Sequence, residues 1–191
     1  MNNNNSSQEI SNINFILKGF NAILIGAFIF ICAYFMKTIL DQFLIEGNTL
    51  GMLSAEIIEI IFFSVAFFVF LFSSLSLYFS GRRNAKKNNY KLWNEKTKTA
   101  FWKYLIGVAI IFCVLFFMTS KGYINYITPV FLLLYGLLLL SFRNKERKDL
   151  LVLIGLCGFL ALICFLIPSY WYASLSILGI AHATYGVVVK N

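Results

Sequence analysis

Five long stretches without a charged residue dominate the sequence. They lie at 19–36, 60–81, 104–120, 122–142 and 150–189, and they contain 18, 22, 17, 21 and 40 residues. A helix that crosses the hydrocarbon core of a bilayer needs about 20 predominantly apolar residues, with a range of roughly 17–25. Each of the first four stretches therefore predicts one membrane-spanning helix, and the fifth is long enough for two.

A proline divides the fifth stretch. Pro168 is followed by Tyr170, Trp171 and Tyr172. Proline disfavours helix at the residue before it, and Tyr and Trp favour the membrane interface, so a tight turn is expected here. The sequence thus predicts six helices, near 19–36, 57–80, 103–120, 123–142, 150–167 and 171–189.

The composition supports a membrane protein. Hydrophobic residues make up 60% of the chain and charged residues only 13%, against about 25% charged residues in soluble domains. Such a chain cannot cover a water-facing surface, which excludes a soluble globular domain, a disordered chain and a disulfide-stapled scaffold. We predict an all-α polytopic integral membrane protein with six transmembrane helices as three helical hairpins. The hairpins are 19–80, 103–142 and 150–189, within a single domain at 15–191.

Basic residues set the predicted orientation. With the N-terminus inside, 14 of the 16 Lys and Arg lie on the cytoplasmic side, and only Lys37 and Lys121 lie outside. Basic loops stay cytoplasmic, so both termini are expected inside. The polar tail at 1–14 lacks the features of a signal peptide, so the first helix is expected to be retained. The richness in Phe, Ile, Asn and Lys is typical of an AT-rich bacterial genome, and a bacterial inner membrane is expected.

The segment 81–103 is predicted to be a basic cytoplasmic loop. It holds eight Lys and Arg against one acidic residue, and aromatic residues are interleaved with them. This pattern suits anionic lipid headgroups of the bilayer or a protein partner, while the alternative is a solvated connector that fixes topology. Topology and headgroups also account for the net charge of +8, so nucleic acid is not an expected partner. The candidate residues are Arg82, Arg83, Lys86, Lys87, Lys91 and Trp93.

The odd-numbered predicted helices share a short pattern. Gly, five residues and then Cys occur at 26–32, 107–113 and 158–164, and Tyr-Gly occurs at 135–136 and 185–186. The spacing between the second and third units is 51 residues for Gly and Cys and 50 for Tyr. The pattern predicts that the three hairpins are internal repeats.

Glycine, proline and leucine also carry a family resemblance. The segment from Gly155 to Gly186 (GLCGFLALICFLIP … LGIAHATYG) resembles the acid-resistance membrane protein family of small bacterial six-span proteins. This segment, together with TPVFLLLYG at 128–136, also resembles uncharacterised small membrane proteins of the Bacteroidetes. The resemblance implies a stress-related membrane role and brings no catalytic residues.

His182 is the strongest single candidate for a functional site. It lies eight residues before Lys190, about 12 Å into the membrane at 1.5 Å per residue. An ionisable group inside the membrane suggests function, here a polar path formed with Tyr135 or Tyr185. The alternative is a neutral histidine that donates one hydrogen bond to a neighbouring helix.

Small residues predict where helices pack closely. Gly179 and Gly186 share the predicted helix face of His182, which is therefore expected to point into the bundle. The glycines expected at helix contacts are Gly19, Gly26, Gly107, Gly158, Gly179 and Gly186.

Glu56, Glu59 and Lys37 form a candidate acidic site at the outer mouth. An ion pair or interfacial solvation is the first interpretation, and an entry site for protons or cations is the second. Three cysteines at the repeat positions could bind a soft metal, but packing explains them better, and no metal or cofactor is predicted. The sequence contains no motif of a known catalytic site, so we expect no enzyme.

The functional expectation is a non-enzymatic integral membrane protein, associated with envelope or stress physiology or acting as an accessory subunit. A homo-oligomer or a complex with another protein is compatible with this expectation. The first alternative is a small transporter or channel with a polar path around His182. The second is a lipid- or partner-binding scaffold that acts through 81–103.

Overall fold

The described secondary structure is entirely helical. The structure is a computed structural model, and it describes residues 19–44, 54–87, 93, 95–142 and 150–189. The α helices are α1 (Phe20–Phe43), α2 (Ala55–Lys87), α3 (Glu95–Ser120), α4 (Ile127–Ser141), α5 (Leu150–Leu166) and α6 (Trp171–Val188). Short 3₁₀ helices at Ile124–Tyr126 and Pro168–Tyr170 precede α4 and α6. The prediction of an all-α protein is confirmed.

Four helical segments are long and apolar enough to cross a membrane. They are Phe20–Phe43, Glu56–Arg83, Thr97–Ser120 and Ile124–Ser141, while Leu150–Leu166 is apolar but shorter. Many large apolar side chains on these helices are exposed, for example Phe67 and Phe116. A surface of this kind suits lipid and not water, so the four helices indicate a membrane-embedded protein.

Most helices pack beside their neighbours in the sequence, and α6 also packs against α1. Close packing joins α1 to α6, α4 to α5, α1 to α2, α3 to α4 and α5 to α6, with the α1–α6 contact the most extensive. The backbones of α2 and α3 stay further apart, and side chains join these two helices. The three hairpins therefore do not pack against one another in equivalent ways.

The backbone preferences of glycine and proline explain two of the turns between consecutive helices. Gly122 has a φ of 76° between α3 and α4, a left-handed conformation that glycine adopts without steric cost. Ile167 is extended, with φ −133° and ψ 88°, and Pro168 begins the 3₁₀ helix before α6. The residue before a proline avoids the helical region, so α5 ends where the sequence predicted.

The basic segment 81–103 differs from the predicted loop. The α2 helix continues to Lys87 and α3 begins at Glu95, so both ends of the segment are helical. Continuing a helix satisfies backbone hydrogen bonds through the membrane interface, and no proline interrupts either end. The α1 helix is also longer than predicted, and an ion pair between Lys37 and Asp41, four residues apart, supports its last turns.

Candidate functional site

His182 and Tyr135 form a buried hydrogen-bonded pair between α6 and α4. Tyr135 Oη lies 2.9 Å from His182 Nε2, and the two rings meet edge-on with centroids 5.7 Å apart. The His182 side chain is 0% exposed, and Tyr135 is also buried. The structure thus brings together two of the three residues of the predicted intramembrane polar site.

The pairing leaves one histidine nitrogen without a partner. Within the described part of the chain, Nδ1 of His182 is buried and makes no hydrogen bond. When Tyr135 donates to Nε2, the neutral ring carries its proton on Nδ1, which then has no acceptor. A buried donor without an acceptor costs roughly 1–3 kcal/mol. The Tyr135 hydrogen bond is therefore the main polar contact that holds the His182 ring in the apolar interior.

Tyr185, the third predicted member, lies three residues after His182 on α6. It is buried at 8% exposure. Its hydroxyl is not the group that holds Nε2, because Tyr135 occupies that position.

A seam of glycines holds α6 against α1 beside His182. A Cβ built on Gly26 would overlap the carbonyl oxygen of Gly179 and lie 2.7 Å from the backbone nitrogen of Ala183. A Cβ on Gly186 would lie 2.5 Å from the carbonyl oxygen of Gly19. The two helix backbones are therefore close enough to exclude side chains, as small-residue packing in membranes predicts.

The other two predicted packing glycines differ from each other. A Cβ on Gly107 would overlap the Leu138 side chain, so this glycine lies at the α3–α4 contact. A Cβ on Gly158 would meet nothing within 4 Å. The prediction for Gly158 was wrong, because the motif identifies a residue type but not the face that the residue occupies. On α5 the packed face is formed by residues such as Cys157 and Ala161.

No ion pair joins Lys37 to Glu56 or Glu59 among the described residues. Lys37 Nζ lies 3.6 Å from Asp41 and 5.0 Å from the centroid of the Tyr172 ring. Glu56 is exposed and Glu59 is partly exposed at the start of α2. The partners found for Lys37 are therefore Asp41 and an aromatic ring of α6, and not the two glutamates of the prediction.

The described candidates of the basic segment face outward. Arg82, Arg83 and Lys86 are exposed on the last turns of α2, and Trp93 is exposed before α3. The Trp93 ring meets the Phe101 ring edge-on, with the two centroids 5.4 Å apart. Lys91 and the Lys87 side chain lie outside the described residues.

The cysteines at the repeat positions have unlike surroundings. Cys32 is partly exposed, Cys113 is exposed and Cys164 is buried. Cys164 Sγ donates to Ser174 Oγ at 3.1 Å. Over the described ranges no group of three His, Cys, Asp or Glu residues is placed to hold a metal ion.

Sequence reasoning missed a second polar contact, between α2 and α3. Ser74 Oγ and Tyr104 Oη are 2.9 Å apart, and Ser74 also donates to the Phe70 carbonyl at 2.6 Å. Beside them Ser73 is buried, and its Oγ has no hydrogen-bond partner among the residues described. Two adjacent serines in an apolar helix were the available signal, but only the fold reveals that Tyr104 faces them.

Comparison with protein-family models, curated proteins and solved structures gave no match.

Proposed function

We propose that this chain is a non-enzymatic integral membrane protein that crosses a bacterial cytoplasmic membrane six times. It acts as an accessory or envelope-associated subunit, and it does not conduct ions. The observation that carries this proposal is that the side chains of His182 and Tyr135 are buried and hydrogen-bond each other. His182, the best candidate for a polar path, is therefore used for helix packing.

Contact with α1 supports a crossing by α6. Gly186 faces Gly19 at one end of the seam, and Tyr172 lies beside Lys37 towards the other end. The α6 helix therefore accompanies α1, a segment long enough to span, over most of its length. At 1.5 Å per residue its 18 residues extend about 27 Å, close to the roughly 30 Å hydrocarbon core. The α5 helix packs beside α4 in the same manner, which supports a sixth crossing.

The charge distribution supports cytoplasmic termini. Arg82, Arg83 and Lys86 are exposed at one end of α2, and Glu56 is exposed at its other end. The positive-inside rule assigns the basic end to the cytoplasm. Since α1 precedes α2 by one crossing, the N-terminus lies on the same side as this basic end.

Cysteine labelling tests the six crossings. The exposed Cys113 and the half-exposed Cys32 are first replaced by alanine, which leaves the buried Cys157 and Cys164 in place. Single cysteines at Asn48, Asn89, Asn144 and Ser169 are then treated with a membrane-impermeant thiol reagent. Labelling from outside is expected at Asn48 and Ser169 only. If the cysteine at position 144 is labelled from outside, or the cysteine at position 169 is protected, the chain does not cross the membrane six times in the proposed way.

Flux through proteoliposomes distinguishes the accessory role from a transporter or channel. We expect proton and potassium flux to equal that of protein-free liposomes, both for the native chain and for His182→Leu. Flux that the native chain supports and His182→Leu loses would establish a polar path and overturn the proposal. The resemblance to the acid-resistance membrane protein family adds a stress-related setting for the accessory role.

A further inference from the structure

A partly open cavity of about 140 Å³ lies in the half of the bundle that carries the basic end. Its walls come from α1, α2, α3, α4 and the first residue of α5. They are mostly apolar and aromatic, and no charged side chain is found among the described residues that line the cavity. An apolar cavity of similar size, about 150 Å³, can stay dry and bind benzene. The volume therefore suits one uncharged ring and is too small for a whole phospholipid.

One hydroxyl in this cavity is free to hydrogen-bond a ligand. Ser73 lines the cavity and is 7% exposed, and its Oγ has no partner within the described ranges. Other α2 serines donate to their own helix, Ser64 to the Ile60 carbonyl and Ser74 to the Phe70 carbonyl. Buried polar groups without a partner are uncommon, so the Ser73 hydroxyl points to a missing acceptor.

The neighbouring hydroxyls are already engaged. Ser74 uses its hydrogen for the Phe70 carbonyl, so the contact with Tyr104 uses the phenol hydrogen. The Tyr135 hydroxyl is occupied by His182. The hydrogen that these contacts leave free belongs to Ser73, and its natural complement is a carbonyl oxygen.

The position of Ser73 along α2 restricts the ligand further. Ser73 lies nine residues before Arg82, which is exposed at the basic end, a distance of about 14 Å along the helix. This depth lies inside the hydrocarbon layer if Arg82 is at the headgroups. Phospholipid esters and headgroups remain at the interface, so a phospholipid would present only hydrocarbon to Ser73. The ligand must carry an uncharged polar group into the membrane interior.

The α2–α3 seam provides a route from the lipid to this cavity. The rings of Phe67 and Phe70 on α2 meet the Phe112 ring of α3 edge-on, with centroids 6.2 and 5.4 Å apart. The Ser74–Tyr104 hydrogen bond is a further side-chain contact between the two helices. Side chains can rotate away from such a contact, whereas at the glycines of the α1–α6 seam the two backbones meet directly and cannot rotate away. A tail attached to a bound ring can therefore remain in the bilayer.

We propose that this cavity binds the ring of a lipid quinone, which enters between α2 and α3. A quinone combines an uncharged ring, carbonyl oxygens and an apolar tail, which are the three properties that the cavity requires. One carbonyl accepts a hydrogen bond from Ser73. Phe70 and Phe131, which pack edge-to-face with their centroids 6.3 Å apart, line the wall beside the ring. This inference goes beyond the accessory role and does not depend on it.

A binding experiment with the full chain in phosphatidylcholine nanodiscs tests the proposal. The probe is a benzoquinone with a decyl tail, measured as saturable binding above protein-free nanodiscs. Ser73→Ala removes the hydrogen bond and is expected to weaken binding roughly 2- to 10-fold, the equivalent of about 0.4–1.4 kcal/mol. Ser73→Leu fills the cavity and is expected to abolish saturable binding.

Ser64 supplies matched controls on the same helix. It is exposed outside the cavity, so Ser64→Ala and Ser64→Leu are expected to bind the probe like the native chain. Thermal unfolding of all four variants verifies that they fold, and Ser73→Ala still decides the question if Ser73→Leu does not fold. The proposal is overturned if the native chain shows no saturable binding or if Ser73→Ala binds unchanged. Displacement of the probe by palmitate at equal concentration would also overturn it, because the site would then bind acyl chains.

Discussion

Replacing Gly26 by alanine should separate α1 from α6. The added Cβ would lie 2.7 Å from the backbone nitrogen of Ala183 and would also overlap the carbonyl oxygen of Gly179. Ordinary contacts of this kind begin near 3.4 Å, so the contact with the Ala183 nitrogen is short by about 0.7 Å. Both atoms belong to the opposing backbone and cannot rotate away, so the helices must move apart or bend.

Overpacking of this kind costs typically about 1–3 kcal/mol. Alanine also has a higher helix propensity than glycine by about 0.8–1.0 kcal/mol, so the two effects oppose each other. We expect a net loss of stability because the clash involves two backbone atoms at once. The measurement is the free energy of unfolding, obtained by titrating SDS into the chain in mixed micelles.

Gly158→Ala is the matched control, because nothing lies within 4 Å of its added Cβ. It gains the same helix propensity without a clash, so it should be neutral or more stable than the native chain. The reasoning is refuted if Gly26→Ala and Gly158→Ala unfold at the same SDS fraction.

Two further predictions concern polar contacts. Tyr135→Phe leaves both ring nitrogens of His182 without a hydrogen-bond partner among the described residues and should cost about 1–3 kcal/mol in the same unfolding assay. Adding His182→Leu to it should recover most of that loss, because both polar partners are then apolar; a double variant less stable than Tyr135→Phe would contradict this. Lys37→Met removes an exposed ion pair with Asp41 and should change the free energy of unfolding by less than about 1 kcal/mol. A larger loss would mean that the contact with Tyr172 carries more energy than the ion pair does.

Charge spacing predicted where the apolar helices lie, because a long apolar stretch without charges favours a helix that can span a bilayer. The sequence-based bounds near 150–167 and 171–189 agree with α5 and α6, since Pro168 leaves little freedom in the turn between them. The predicted end of α1 near residue 36 was too early, because Lys37 is paired within the helix and does not terminate it. A single charge therefore does not mark the end of a helix.

The candidate site depended on which helix faces which. Helical spacing placed His182 on the face of Gly179 and Gly186, and the structure has all three buried on α6. The same reasoning could not orient Gly158, whose surroundings depend on how α5 rotates against α4. It also could not find Ser73, because the cavity exists only where five helices meet.

The unequal seams have a consequence for how this bundle responds to its surroundings. Lipid tails are as apolar as the helices, so burial from water does not drive helix association inside a bilayer. The α1–α6 seam is nevertheless tight, because Gly26, Gly179 and Gly186 let two backbones approach closely. The contacts of Phe112 across the α2–α3 seam resemble the contacts that the same ring would make with lipid. Opening α2 from α3 therefore loses little beyond the Ser74–Tyr104 hydrogen bond, while opening α1 from α6 loses an interface that lipid cannot replace. The α2 and α3 helices, which both line the cavity, should therefore separate more readily than α1 and α6.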